Sequence, residues 1–210
     1  MPEPKGRRIY ILLTQSETFI SKMIRRFTGD SYTHASIAFE EDLNSFYSFA
    51  RRYPSLPLPA GFVREHLDEG FFERHRDIPC VLYAMKVEPL VYERARSKIA
   101  GMFMCRRFYR YNLWGLFLCR IGIAESRPRH YFCSQFVAEV LRDSGAAALP
   151  KPPSLMRPQD YEALPGLACL FRGRVSGLVA WGASQFSGIM YPRSGYTGVG
   201  YQSSELVSGL

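Results

Sequence analysis

The chain has 210 residues, a formal net charge of +8, and 47% hydrophobic and 14% aromatic residues. That size and composition suit one compact domain with its own core and exclude a disordered chain. Arginine supplies most of the charge, in small groups (Arg25-Arg26, Arg51-Arg52, Arg106-Arg107 with Arg110, Arg127 with Arg129, Arg172 with Arg174) spread over several elements, so there is no specific nucleic-acid signal, while a basic surface would suit an anionic membrane or polymer.

The opening MPEPKGRRIYILLTQSE contains only a short apolar run with no cleavage site close behind it, so it reads as a first strand, RIYILLT (8–14), rather than as a signal peptide. No apolar run approaches the roughly 18–20 residues of a membrane-spanning helix, and a cytoplasmic location is expected. Ser16 suits the N-cap of a helix over 17–28, with Phe19, Ile20, Met23, Ile24 and Phe27 on one face. Two strand-like runs follow, THASIAFE (33–40) and SFYSFAR (45–51), joined by an acidic turn at hairpin distance. The proline-rich RRYPSLPLPAG cannot be a central strand. As RRYPSLPLPAGFVRE it either overhangs a site or merely connects, and the segment from Gly61 to Asp77 carries charge without clean periodicity.

CVLYAMKVE (80–88) is a further strand, and LVYERARSKIAGMFMCRRFYRY (90–111) a long helix after Pro89. NLWGLFLCRIGI predicts a second helix capped by Asn112. The loop AESRPRHY leads into HYFCSQFVAEVLRDSG (130–145), an amphipathic helix with Gly145 at C′. Pro158 suits the first turn of a short helix, and LACLFRG a last strand. The mixture is α+β: a small, mostly antiparallel sheet packed by helices, assigned to residues 1–174, with a Gly/Ser/Tyr-rich tail over 175–210 expected to be flexible.

The chemistry turns on Cys133. It shares the inner face of its helix with Val137, Val140 and Leu141 and stands at the first turn. From the helix alone an inert buried thiol is the default. The position permits more, because first-turn N–H groups and the helix dipole lower a thiol pKa and could hold an oxyanion. The other cysteines (Cys80, Cys105, Cys119, Cys169) form no CxxC pair, so no disulfide framework, metal site or cofactor is indicated. A nucleophile needs a base. His66 and His75 lie in charged segments, and His130 is near Cys133 only in sequence. His34 opens a strand and is flanked by small residues, on a face with Ser36 and Ala38. Taken by itself, it is better read as a satisfied, half-buried histidine.

TQSETFISKMIRRFTGDSYTHASIAFE, FYSFAR, YNLWGLF and FCSQFVAEVLRDSG together resemble the NlpC-type cysteine amidase and peptidase superfamily in its circularly permuted, papain-like form. The combination that carries the resemblance is a histidine in a strand with FCSQFVAEVL far downstream on a helix, in the order His then Cys. It spans about residues 8–172. The resemblance implies a hydrolase of amide, peptide-like bonds, with Cys133 as nucleophile and His34 as base, passing through a thioester acyl-enzyme. The Cys133 N–H would serve as oxyanion donor, and peptide-like or acyl compounds would be the substrates. The family places a polar residue on the next strand to orient the histidine. The matching stretch SFYSFAR offers Ser48, a weaker partner than a carboxylate. Glu40 shares the His34 face but lies roughly 20 Å along the strand, while Asp30 and Glu65 would need loop geometry to approach. A lipid-directed thioesterase or acyltransferase on the same site, and a non-catalytic binding module of the same fold, stand as alternatives.

Overall fold

The computed structural model describes residues 6–15, 30–39, 43, 45–51 and 60–186. The helix predicted over 17–28, the acidic turn, most of the proline-rich loop and the chain from 187 onward lie outside the described residues. The fold is α+β. Its centre is a six-stranded sheet in the order β4-β3-β2-β1-β5-β8, with every neighbouring pair antiparallel. The strands are β1 (Arg7–Thr14), β2 (His34–Ala38), β3 (Phe46–Arg51), β4 (Ala60–Glu65), β5 (Pro79–Val87) and β8 (Leu167–Arg174).

β1 is apolar along nearly its whole length because both of its faces are covered. Ile9, Ile11 and Leu13 point to one side, against helices α2 (Pro89–Met104) and α4 (Cys133–Ser144). Tyr10 and Leu12 point to the other, in a second apolar cluster with Phe72 of α1 (Gly70–Arg74) and Val175 and Leu178 of α5 (Val175–Phe186). The register Thr14↔His34 on β2 and Thr14↔Cys80 on β5 fixes where His34 begins its strand.

Three departures from the sequence reading have physical causes. The helix predicted over 90–111 ends at Met104, just past its last buried residue, Met102. Beyond it Arg106 and Arg107 have no apolar face to bury. The chain makes a 3-10 turn over Arg106–Phe108, and Arg110–Tyr111 becomes β6. β6 pairs in parallel with β7 (His130–Tyr131), and the Arg110 N–H donates to the Arg129 carbonyl at 2.9 Å. The non-periodic stretch after Gly61 supplies β4 and α1; β4 is an edge strand, where polar residues such as Arg64 sit in water without cost. The segment assigned to a tail begins instead with α5, whose Val175 and Leu178 are fully buried. The helix α3 (Leu113–Arg120) starts where NLWGLF predicts, with the Asn112 side chain accepting from the Gly115 N–H at 2.8 Å.

Candidate active site

α4 is held in place from both sides. Phe136 packs between Phe49 of β3 and Phe62 of β4, with ring centroids 5.3 Å from each. Tyr161 donates to the Ser134 carbonyl at 2.6 Å and pins the first turn. Gly145 ends the helix in the left-handed conformation, at φ +82°. At the other end Phe132 is the N-cap, in extended geometry, so no side-chain oxygen caps the first-turn N–H groups. They are left to act on whatever stands at the helix entrance, and that is the sulfur of Cys133.

The structure brings Cys133 and His34 together, close enough for each to shift the other's titration. Behind it, His34 Nε2 meets Glu65 Oε2 at 3.1 Å, with both side chains about one-eighth exposed. Burial alone would push the Cys133 thiol up. The hydrogen bond and charge of His34, joined by the backbone N–H groups of Ala35 and Ser134, outweigh it and hold the thiol below its ordinary value. Burial likewise works against the His34 cation, but the Glu65 charge and the hydrogen bonds to Cys133 and Glu65 raise its pKa well above the ordinary histidine value. Each group thus favours the charged form of the other, with Glu65 behind the imidazole.

Ser48 does not join this pair. Its hydroxyl is buried and donates to the Ala35 carbonyl at 2.7 Å, so it braces the β2 backbone beside His34 without reaching the imidazole. Glu65 stands where Ser48 was expected to act. Asp30 is engaged elsewhere, 2.9 Å from Arg120 and 3.4 Å from Arg157. His130 donates from Nδ1 to the Pro128 carbonyl, and His75 to the Phe71 carbonyl.

Sequence reading missed a further member, Tyr111. Its hydroxyl is raised well above the ordinary phenol value, first by burial and then by the charge of Cys133 and a hydrogen bond to it. The β6–β7 pairing explains the proximity: Tyr111 sits opposite Tyr131, two residues before Cys133, and the Asn112 N–H donates to the Tyr131 carbonyl at 2.9 Å. The signal lay in YNLWGLF, where a capping Asn112 already required the preceding residue to leave the helix.

The remaining cysteines are different in kind. Burial alone pushes the Cys80 thiol up to about 12, and Cys119 is also raised, first by burial. Cys105 and Cys169 are exposed. Among the described residues no group of three or more His, Cys, Asp or Glu side chains is placed to hold a metal ion. Against protein-family models, curated proteins and solved structures, the chain shows no match.

Proposed function

We propose that the chain is a cysteine hydrolase of permuted papain-like fold that cleaves amide, peptide-like bonds. The observation that carries this reading is the buried Cys133–His34–Glu65 constellation, in which burial would favour a neutral thiol and the partners reverse it. The chemistry follows from these groups. The Cys133 thiolate attacks the carbonyl carbon, and the carbonyl electron pair moves onto oxygen. First-turn N–H groups of α4, that of Cys133 foremost, stabilise the oxyanion. His34 gives its proton to the leaving amine as the C–N bond breaks, leaving a thioester on Cys133. Water then attacks the thioester, His34 takes its proton, and the thiolate leaves. Glu65 keeps the imidazole oriented and favours its charged form throughout. A carboxylate in that place supports the enzyme reading over the binding-only alternative, which was motivated by a weak third residue.

Alkylation with iodoacetamide as a function of pH, read by mass spectrometry on the folded chain, tests this. Because the thiol is held down, the Cys133 rate rises with pH and levels off below the usual thiol pKa of about 8.5. Its rate falls only as acid protonates the sulfur. Cys80, its thiol pushed up to about 12 by burial, stays inert. In His34→Ala burial is opposed only by the backbone N–H groups of Ala35 and Ser134, so the Cys133 profile moves to alkaline pH. Glu65→Gln moves it in the same direction by less. Turnover of an amide also needs the His34 proton, so it declines again above the raised His34 pKa, giving a bell. A Cys133 that is no faster than Cys105 at neutral pH and is indifferent to His34→Ala sinks the enzyme reading.

A further inference from the structure

We propose that the outer face of α3, with the arginines beside it, is a docking surface for an anionic lipid bilayer. Seven of the eight exposed large hydrophobic residues of the described chain fall between Met104 and Ile123. Leu113, Trp114, Phe117 and Ile121 recur at helical spacing and form one stripe, and Trp114, Phe117 and Ile121 are 58%, 55% and 57% exposed. The Trp114 and Phe117 rings stack on each other at 5.6 Å, so the stripe is a continuous apolar ridge. Just past α3 the Ile123 N–H bonds back to the Leu118 carbonyl, keeping Ile123 against the helix end. A large contiguous apolar patch on a surface marks an interaction site.

The surrounding charge selects the occupant. Arg106, Arg107 and Arg110 precede the ridge and Arg127 and Arg129 follow it; the β6–β7 pairing draws the two groups together. The guanidinium groups of Arg107 and Arg129 both lie over the Phe108 ring, at 4.6 and 5.7 Å, which places cations and an aromatic in one exposed layer. From Met104 to His130 the sequence holds one carboxylate, Glu125, which accepts from Asn112 Nδ2 at 3.0 Å and lies 3.8 Å from Arg127, so it offsets one of the five arginines. A Trp–Phe–Ile ridge flanked by arginines matches the acyl boundary and the phosphates of an anionic membrane surface. No helix of the described residues is long and apolar enough to cross a membrane, so the contact lies on the surface. The ridge also adjoins the site, since α3 begins two residues after Tyr111, whose hydroxyl meets the Cys133 sulfur.

The test is co-flotation of the full chain, carrying Cys133→Ala so that no chemistry contributes, with phosphatidylcholine vesicles made with and without phosphatidylserine. We expect binding to the anionic vesicles only, weakening as salt shortens electrostatic reach. Phe117→Ser/Ile121→Ser and, separately, Arg107→Glu/Arg129→Glu should each weaken it at least about tenfold while circular dichroism stays unchanged. Absence of flotation, or flotation equal in both variants and the parent, overturns the proposal. So does a concentration-dependent dimer that Phe117→Ser/Ile121→Ser abolishes in a chain that binds no vesicles, which would make the ridge an interface between two copies. These outcomes are independent of the alkylation profile at Cys133, so each reading stands or falls alone.

Discussion

α3 and α4 are separated by a short stretch of chain and have opposite relations to water. α3, LWGLFLCR, is the more apolar in composition, yet only Gly115 and Cys119 are buried. α4, CSQFVAEVLRDS, mixes polar and apolar residues, yet nine of its twelve residues are buried. Periodicity separates them where composition does not. In α4 the apolar positions repeat on one face and the sheet covers that face. α3 is apolar around most of its circumference and has too few facing elements to bury it. The difference suits what each presents: a buried thiol beside His34 at one helix entrance, and a ridge left in solvent on the other helix.

The comparison breaks hardest at Phe136. It is 1% exposed and wedged between Phe49 and Phe62. Phe136→Ala should cost about 3–5 kcal/mol, the range for emptying an aromatic site in a core. Urea denaturation reads this directly. A cost under about 1 kcal/mol would mean that α4 is not anchored through this ring and that the position of Cys133 needs another explanation.

Asn112 joins the two helices and gives a smaller effect. Its Oδ1 caps α3 at the Gly115 N–H, and its Nδ2 donates to Glu125. The cap is tight: a Cβ at Gly115 would lie 2.2 Å from Asn112 Nδ2, so only glycine allows that approach. Asn112→Ala should cost about 1 kcal/mol, as loss of an N-cap does. Asn112→Ser should recover most of it by capping without the Glu125 bond. The backbone N–H of residue 112 keeps its bond to Tyr131 in both variants, so the Cys133 alkylation profile should not move. A shifted profile would show that α3 and the nucleophile are mechanically coupled.

How much of this was legible in the sequence follows from the same distinction. β1, β2, β3 and β5 and the bounds of α4 could be read because local pattern and tertiary burial agree there. His34 and Cys133 stood out as a strand-opening histidine and a first-turn cysteine, and the structure joins them. Glu65 did not stand out, because it ends an edge strand whose alternation is blurred by Arg64, and its approach to His34 depends on tertiary geometry. Ser48 was adjacent in pattern, but its hydroxyl found a nearer acceptor in the Ala35 carbonyl. Tyr111 was hidden inside an overlong helix: the helix ends with its buried face near Met102, and Tyr111 then pairs with the distant Tyr131. α5 escaped notice because Gly and Ser dilute its composition, although Val175 and Leu178 suffice to seat it on the sheet.

The smallest expected effect is the most discriminating. Phe117 is chemically the counterpart of Phe136, but its ring is 55% exposed and stacks only on Trp114 among the described rings. Phe117→Ser removes little buried surface, so stability should stay within about 0.5 kcal/mol of the parent. A loss of 2 kcal/mol or more, on the order of a core deletion, would show that the ridge is already covered within the molecule, and the surface would then not be open to a membrane. Unchanged stability leaves the ring's burial to be completed by something outside the fold, which is the condition the vesicle experiment then examines. One residue type placed in two neighbouring helices would thus report two separate quantities: the energy that holds Cys133 in place, and the apolar area that the fold leaves for a partner.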